Sequence, residues 1–288
     1  MATQRDLKKR LQTVKSTKQI TKAMKMVAAS RLRKSQEALL MLRPYAYKIT
    51  SILNSLKDRV EVLGHPLLRK REIKKTRIVI VSSDRGLCGS YNTNIIKKAE
   101  SYIRENGYNE TNSVLDFVGK KGFEYFKKRY TNIGDNYRMD LNPTYEGGST
   151  VSERMITNYI EGDFDSLVVI YNEFKSAMVQ RITVEKMLPI IPLEHNEFSN
   201  IDMYAYEPSR DEILEELLPK YIKIEAMRIL LESLASEHGA RMTAMENATK
   251  NSEEMIKKLS LLYNRQRQAA ITTELMEIVG GKEALEQG

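Results

Sequence analysis

Residues 1–63 contain no glycine and a single proline, Pro44, and residues 220–288 contain no proline and no glycine before Gly239. Glycine and proline are the residues that let a chain turn, so two long stretches nearly free of them predict two long helices. Between them, residues 64–208 hold ten of the fourteen glycines and five of the seven prolines, the punctuation of strands, turns and short helices. The expected plan is a long helix, a mixed domain, and a second long helix. Helices over roughly residues 3–58 and 210–284 would measure about 80 Å and 110 Å at 1.5 Å per residue.

Both ends carry a 3–4 apolar spacing. In the first helix Leu7, Leu11, Val14, Ala28, Leu32, Leu39, Leu42, Ala46, Ile49, Leu53, Leu56, Val60 and Leu63 fall on one seam. The spacing fails at Lys18, Thr21, Lys25 and Ser35, while Ile20, Met24 and Val27 put apolar groups on another face. On spacing alone, residues 18–25 read as a solvated stretch of an ordinary amphipathic helix. In the last helix the seam is Ile224, Met227, Leu231, Leu234, Met245, Ala248, Met255, Leu259, Leu262, Ala269 and Met276, interrupted at His238, Arg241, Ser252, Gln266 and Thr273. Pro44 is expected to bend the first helix, and Pro219 to mark the first turn of the last helix or a kink.

Two long helices flanking one domain fold back most simply as an antiparallel pair, with the domain at one end. Residues near 2 and 268 then lie at similar height, and Met24 lies near Met245 or Glu246. The unequal lengths leave about 20 residues, or ~30 Å, of the last helix unpaired. That overhang, residues 269–285, is weakly charged and apolar on more than one face, so it is expected to insert into something.

The middle reads as α/β of the doubly wound class: strands at 76–83, 113–118, 166–171 and 181–187, and helices at 91–105, 120–129 and 149–161. The fold class expected is therefore an α/β, Rossmann-like doubly wound domain flanked by N- and C-terminal helices in a long antiparallel coiled coil. Its divisions are residues 1–60, 75–193 and 209–286.

Folds of this class often bind nucleotides, which makes the first strand-to-helix turn, SSDRGLCGSYN over residues 82–92, the place to look. It has neither GxGxxG nor GxxxxGK[ST], so a tight turn with a helix cap at Ser90 or Asn92 is the better reading. Cys88 is the only cysteine and reads as a buried, inert thiol. One cysteine also excludes a disulfide framework or multi-cysteine zinc site and fits a reducing compartment. The three histidines, His65, His195 and His238, lie in different segments, and Glu194 and Glu197 beside His195 do not make a metal site. No catalytic constellation emerges.

Charge is distributed unevenly. Residues 1–75 carry 20 basic and 5 acidic side chains, a net of +15, while the rest carries 26 and 33, a net of −7. Such an arm calls for an acidic partner: nucleic acid, anionic lipid or an acidic protein surface. No segment approaches the ~18 apolar residues of a membrane span, and the opening residues read as mature sequence and not as a secretory signal.

Three segments then carry a resemblance: ITKAMKMVAASRLRK over residues 20–34, SDRGLCG over 83–89, and YNRQRQAAITTELMEIVGG over 263–281. They resemble the gamma subunit of F-type ATP synthase, in order and across the whole chain. Lys282 stands where that family usually has alanine, and the cysteine-bearing insert of chloroplast members is absent. The resemblance implies a non-catalytic central-stalk rotor that couples proton flow through the membrane sector to ATP synthesis or hydrolysis at the beta subunits. It implies assembly with three alpha and three beta subunits, delta and epsilon, and the membrane c-ring, with no cofactor, metal, nucleic acid or bound small molecule. The expected location is peripheral, on the cytoplasmic face of a bacterial plasma membrane, in preference to a mature mitochondrial homologue. By the resemblance, Lys18, Lys22, Met24, Lys25, Arg267, Gln268, Thr272, Glu274, Leu275 and Ile278 face the alpha/beta ring, and Tyr204, Tyr206 and Glu207 form a foot on the c-ring.

Two rival classes fit less well. A nucleic-acid binder would account for the basic arm, but the cations spread around the helix without a stacking platform or reading motif. A nucleotide-binding enzyme would account for the α/β core, but it lacks the phosphate loop.

Overall fold

The computed structural model describes residues 3–57, 65–69, 71–138, 145–190, 207 and 209–286. Its contacts divide the chain into two compact units, one of residues 1–27 with 242–288, the other of residues 28–241. The terminal helices α1 (Gln4–Lys57) and α5 (Arg210–Glu286) contribute to both.

Capping explains where the helices start. Thr3 and Asp6 form a reciprocal box, with the Asp6 amide donating to Thr3 Oγ1 and the Thr3 amide to Asp6 Oδ2. Ser209 opens α5 through its hydroxyl alone, which accepts the Glu212 amide and donates to the Glu212 carboxylate. Helix α5 therefore begins nine residues before Pro219, not at it, and runs on through that proline as α1 runs through Pro44.

Burial along α1 corrects the broken seam. Leu7, Thr21, Ala28, Leu32, Ser35 and Ile49 are buried, and Leu11, Val14, Lys18, Lys25, Leu39, Leu42 and Ala46 are half-buried. The 3–4 spacing thus passes without a fault through residues 18–25, with polar side chains in core positions. Ile20 and Val27, apolar by type, point outward at 60% and 55% exposure. Thr21 and Ser35 are tolerated because their hydroxyls bond back to the carbonyls of Lys18 and Arg31.

The seam of α5 is also displaced from its expected line. Met245 and Ser252 are buried, and Ile256, Leu259, Tyr263 and Gln266 are half-buried, whereas Met255 and Leu262 are more than half exposed. The inward positions Met245, Thr249, Ser252, Ile256, Leu259, Tyr263 and Gln266 keep a regular 4–3 spacing, so the expected line through Met255 and Leu262 lies one residue early.

The second unit holds a five-stranded sheet in the order β3-β2-β1-β4-β5. Strands β1 (Thr76–Val81), β2 (Ser113–Val118), β3 (Ile133–Tyr137) and β4 (Ser166–Phe174) are parallel, and β5 (Gln180–Leu188) returns antiparallel from β4. The helices between are α2 (Tyr91–Glu105), α3 (Lys120–Phe126) and α4 (Tyr145–Glu161). Alternation along β1 sorts the two faces. Ile78 and Ile80 join Ile95, Ala99 and Ile103 of α2 and Phe126 of α3. Val79 and Val81 join Met155 and Tyr159 of α4 and Leu218, Ile222 and Ile229 of α5.

Strand β3 was not expected from its sequence, IGDNY, which lacks branched and aromatic residues but for its ends. It is set by a buried carboxylate. Asp116 of β2 is fully buried, pairs with Arg77 of β1, and accepts the Asp135 amide at 2.8 Å. Gly134 permits this approach, since a Cβ there would lie 2.1 Å from Asp116 Oδ1. Burial raises the Asp116 pKa, against the lowering pull of Arg77.

Candidate functional site

The first feature of interest is the polar section of the paired helices. Lys18 Nζ lies 2.9 Å from Glu253 Oε1, the Thr21 and Thr249 hydroxyls lie 2.8 Å apart, and Lys25 Nζ lies 3.3 Å from Glu246 Oε1. The paired numbers rise on α1 as they fall on α5, so the helices are antiparallel, and Lys25 opposite Glu246 matches the expected height of Met24 to within a residue. Hydrogen bonds from Lys25 and Lys18 hold the carboxyls of Glu246 and Glu253 below the usual range. Both pairs are solvent-exposed and screened, so they add little to stability. Their effect is orientation: Lys18 and Lys25 are turned inward, Met24 is half-buried, and Lys22 faces solvent.

The second feature is the end of α5. In this register Gln4 lies opposite about residue 267, so α5 continues alone for about 19 residues, or ~29 Å. Arg267, Gln268, Thr272, Glu274, Leu275 and Ile278 are all exposed there, and Thr272 only bonds back to the Gln268 carbonyl. Ile271, Leu275, Met276, Ile278 and Val279 are 49–68% exposed and spread over roughly half of the helix circumference. A continuous apolar surface on an unpaired helix is a contact surface.

The third feature is the crevice beyond the carboxyl ends of β1 and β4, where the strand order reverses and where such folds hold their ligands. Here α5 itself occupies it. Tyr91 Oη donates to the Ser233 carbonyl at 3.2 Å, and Ser236 Oγ donates to the Asn172 carbonyl at 3.0 Å. Gly239 lets the helix backbone approach the β4–β5 turn, for a Cβ there would sit 3.1 Å from Ala177 Cα. Arg241 pairs with Glu237 at 2.6 Å and donates to the carbonyls of Arg85 and Gly86. The loop after β1 is thereby fastened to α5. Ser90 holds the N-cap position of α2 without a side-chain cap bond, and Asn92 lies inside the helix, where its side chain accepts the Ser83 amide and ties the loop from the other side. Cys88 is buried in that loop, and burial raises its pKa, which keeps it a thiol.

His238 sits in the same collar, 7% exposed, with Nδ1 3.3 Å from Arg241 Nη1. Burial first, then the charges of Arg241 and Arg31, lower its pKa from 6.5 to about 4. Between those values the unfolded chain binds the proton and the folded chain does not. The stability is fully present above pH 6.5 and is lost as pH falls to 4, by about 3 kcal/mol at 1.36 kcal/mol per unit. His238→Gln is expected to flatten urea-unfolding stability across that window relative to the parent chain; an unchanged slope refutes a neutral buried His238.

Of the residues implied by resemblance, the structure brings Lys18 and Lys25 together with α5, leaves the tip residues exposed on one helix, and shows Glu207 exposed. Tyr204 and Tyr206, like His195, lie outside the described residues. Glu246 was named from sequence only as the neighbour of Met24, and Glu253, Glu237 and Arg241 were not singled out as contact partners. A lysine at a seam position was the available signal, because it needs a carboxylate across the seam.

The family model described as ATP synthase matches residues 3–285. The ATP synthase gamma chain of Geobacter metallireducens is 48% identical over 286 residues, covering 99% of each chain. That of Anaeromyxobacter dehalogenans is 47% identical over 290 residues, covering 99% of this chain and 100% of the other. Among solved structures, a chain of the Tetrahymena thermophila mitochondrial ATP synthase central stalk and c-ring aligns with a TM-score of 0.60 at 25% identity, over 80% of this chain and 99% of that one. A chain of the Euglena gracilis mitochondrial ATP synthase shares the fold with a TM-score of 0.70 at 20% identity, over 99% and 95%. A polar-seamed helix pair with an unpaired apolar end, joined to an α/β core whose ligand crevice is filled from within, thus coincides with a full-length family match, and the chain belongs to the ATP synthase gamma chain family.

Proposed function

We propose that this chain is the central-stalk rotor of an F-type ATP synthase, coupling proton flow through the membrane sector to ATP synthesis or hydrolysis at the beta subunits. Gamma chains are non-catalytic subunits of that complex. The partners are the ring of three alpha and three beta subunits, delta, epsilon, and the membrane c-ring. Residues 1–60 and 209–286 serve as the shaft, and residues 75–193 as the body that α5 anchors. The complex is peripheral to the membrane, on the cytoplasmic face in this reading. Among the described residues no helix is long and apolar enough to cross a membrane.

The observation that carries this reading is the lone apolar end of α5 beyond a tied helix pair. A shaft must be stiff where it transmits torque and must slide where it turns. Paired helices tied across the seam give the first, and an end with apolar side chains over half of its circumference gives the second. Lys18, Lys22, Met24 and Lys25 would face the beta subunits at the paired section, Arg267, Gln268, Thr272, Glu274, Leu275 and Ile278 the ring at the tip, and Tyr204, Tyr206 and Glu207 the c-ring. The crevice filled by α5 supports a chain with no catalytic site of its own. The test is co-expression with alpha and beta subunits: the tagged chain should retain a nucleotide-hydrolysing hexamer and hydrolyse no ATP alone. Turnover by the chain purified free of them overturns the reading.

A charge change probes the paired section. With Lys18 and Lys25 engaged by α5, Met24→Lys adds a cation beside solvent-facing Lys22. Even ~1 kcal/mol of added attraction to an acidic loop lengthens one dwell about fivefold. Hydrolysis should survive while ATP-driven proton pumping in membrane vesicles weakens; normal pumping places Met24 elsewhere.

A further inference from the structure

Helix α5 meets the sheet in two ways. Its apolar contact is incomplete: Ile222, Ala226 and Ile229 of α5 line a cavity of about 30 Å³ with Val79, Val169 and Met187 of β1, β4 and β5. Apolar burial is non-directional, so side chains packed around a void hold helix and sheet together yet oppose small turns and slides of one over the other only weakly. A quarter-turn or so around the helix, Tyr221, Glu225, Arg228 and Glu232 follow at 3–4 spacing and face β4 and β5. Here the contact is directional. All five N–H donors of Arg228 are in use. Nε donates to Glu225 at 2.7 Å, Nη1 to Tyr171 Oη at 3.1 Å and Glu232 Oε1 at 3.2 Å, and Nη2 to both carboxylate oxygens of Glu185 at 2.7 and 2.9 Å. Tyr171 Oη in turn donates to Glu185 Oε2 at 2.8 Å, which closes a triangle. Glu225 and Glu232 hold the guanidinium flat against its own helix, while Tyr171 and Glu185 hold it to two adjacent strands. The Arg228 side chain is only 25% exposed, so water competes little for these bonds.

We propose that Arg228 is a positioning residue of the rotor: its guanidinium fixes the rotational seat of α5 on the sheet, so that torque entering the body passes into the helix with little twist. The proposal rests on the central-stalk reading and names the residue that makes this joint stiff. Hydrogen bonds weaken steeply when bent, and a planar guanidinium fixes the directions of all five at once. A small turn of α5 therefore breaks several bonds at Arg228, whereas the same turn only redistributes free space around Ile222 and Ile229.

The test uses the complex of this chain with alpha and beta subunits, the ring fixed to a surface and a bead coupled to a cysteine introduced at exposed Lys128 on the body. Cys88, the chain's own cysteine, is buried. The angular spread of the bead is recorded without ATP, and ATP hydrolysis and complex yield are measured beside it. Arg228→Lys keeps a cation among Glu185, Glu225 and Glu232 but offers three donors in place of five, and should raise the variance of the bead angle about twofold while hydrolysis persists. Tyr171→Phe removes the hydroxyl from the triangle and should raise the variance less. Val169→Ile adds a methylene toward the cavity and should narrow the spread of the Arg228→Lys complex. Lys223→Ala is the control: Lys223 also reaches from α5 to the body, 2.7 Å from Glu153 on α4, but through an exposed contact, and its loss should leave the spread unchanged. A merely structural Arg228 would lower complex yield and leave the spread of the surviving complexes at the parent value. That result overturns the proposal, as does equal broadening by Lys223→Ala. Where Arg228→Lys gives no complex, Tyr171→Phe decides by the same measure. A parent chain that retains no hexamer sinks the rotor reading and this proposal together; a parent complex that holds and turns over, with an unchanged spread in Arg228→Lys, sinks this proposal alone.

Discussion

Polar replacement of Leu275, Met276 and Ile278 should cripple assembly of the complex, while Glu274→Gln leaves coupling nearly intact. The three side chains are 57%, 68% and 65% exposed in the single chain, on a helix end with no partner helix beside it. If an apolar sleeve of the ring receives them, each contributes about 1.5–3 kcal/mol on burial, so the triple change removes roughly 4–9 kcal/mol of association. An exposed charge is worth far less. Truncation after Ile271 should still give a complex that turns over, at lower stability and rate. The pair below remains, held by buried Met245 and half-buried Leu259 and by the Lys18–Glu253 and Lys25–Glu246 contacts. Leu262 cannot be counted among those anchors, since it is 52% exposed. Complex yield and ATP-driven proton pumping decide the matter. Abolished pumping in Glu274→Gln, with a silent triple mutant, would make the tip a specific polar latch and end the sliding reading.

Gly119→Ala should be the most damaging single methyl in the α/β unit. Gly119 has φ +94°, and a Cβ there would meet the Ser82 carbonyl oxygen at 2.1 Å and its carbon at 2.6 Å. Neither is the movable end of a side chain. Ser82 is held in place, its amide donating to the Val118 carbonyl at 2.7 Å and its hydroxyl accepting the Gly122 amide at 2.8 Å. The methyl must therefore push the turn after β2 away from the end of β1, where the loop gripped by Arg241 begins. Backbone strain and overpacking together should cost about 2–6 kcal/mol. Gly107→Ala is the control, because Gly107 has φ +65° and open space around it, and it should cost only ~1 kcal/mol. Urea-unfolding midpoints of the two variants separate the effects; equal losses would show that conformation alone, and not the Ser82 contact, sets the cost.

The long helices, their antiparallel register and the unpaired end of α5 were legible in the sequence. The absence of glycine and proline and the 3–4 spacing are local properties, and length differences add up along a helix. Strands β1, β2, β4 and β5 were legible for the same reason, since a short branched run between turns identifies itself. Strand β3 was not, because what holds it is a carboxylate on its neighbour and not its own side chains. Nor was the identity of the seam through residues 18–25, where residue type suggested solvent and the structure shows burial. Thr21 and Thr249, whose hydroxyls meet across the seam, stand 228 positions apart in sequence.

By itself, then, the sequence determined the helices, the mixed sheet between them, and the segments that carry the family resemblance. Only the tertiary structure decided which residues of each helix face inward, why lysines can sit in a core seam, and that α5 packs over the crevice at the carboxyl ends of β1 and β4. The physical reason is that local pattern states what a residue prefers, whereas burial depends on whether a distant partner satisfies it. Lys18 and Lys25 can turn inward because Glu253 and Glu246 meet them from the other helix.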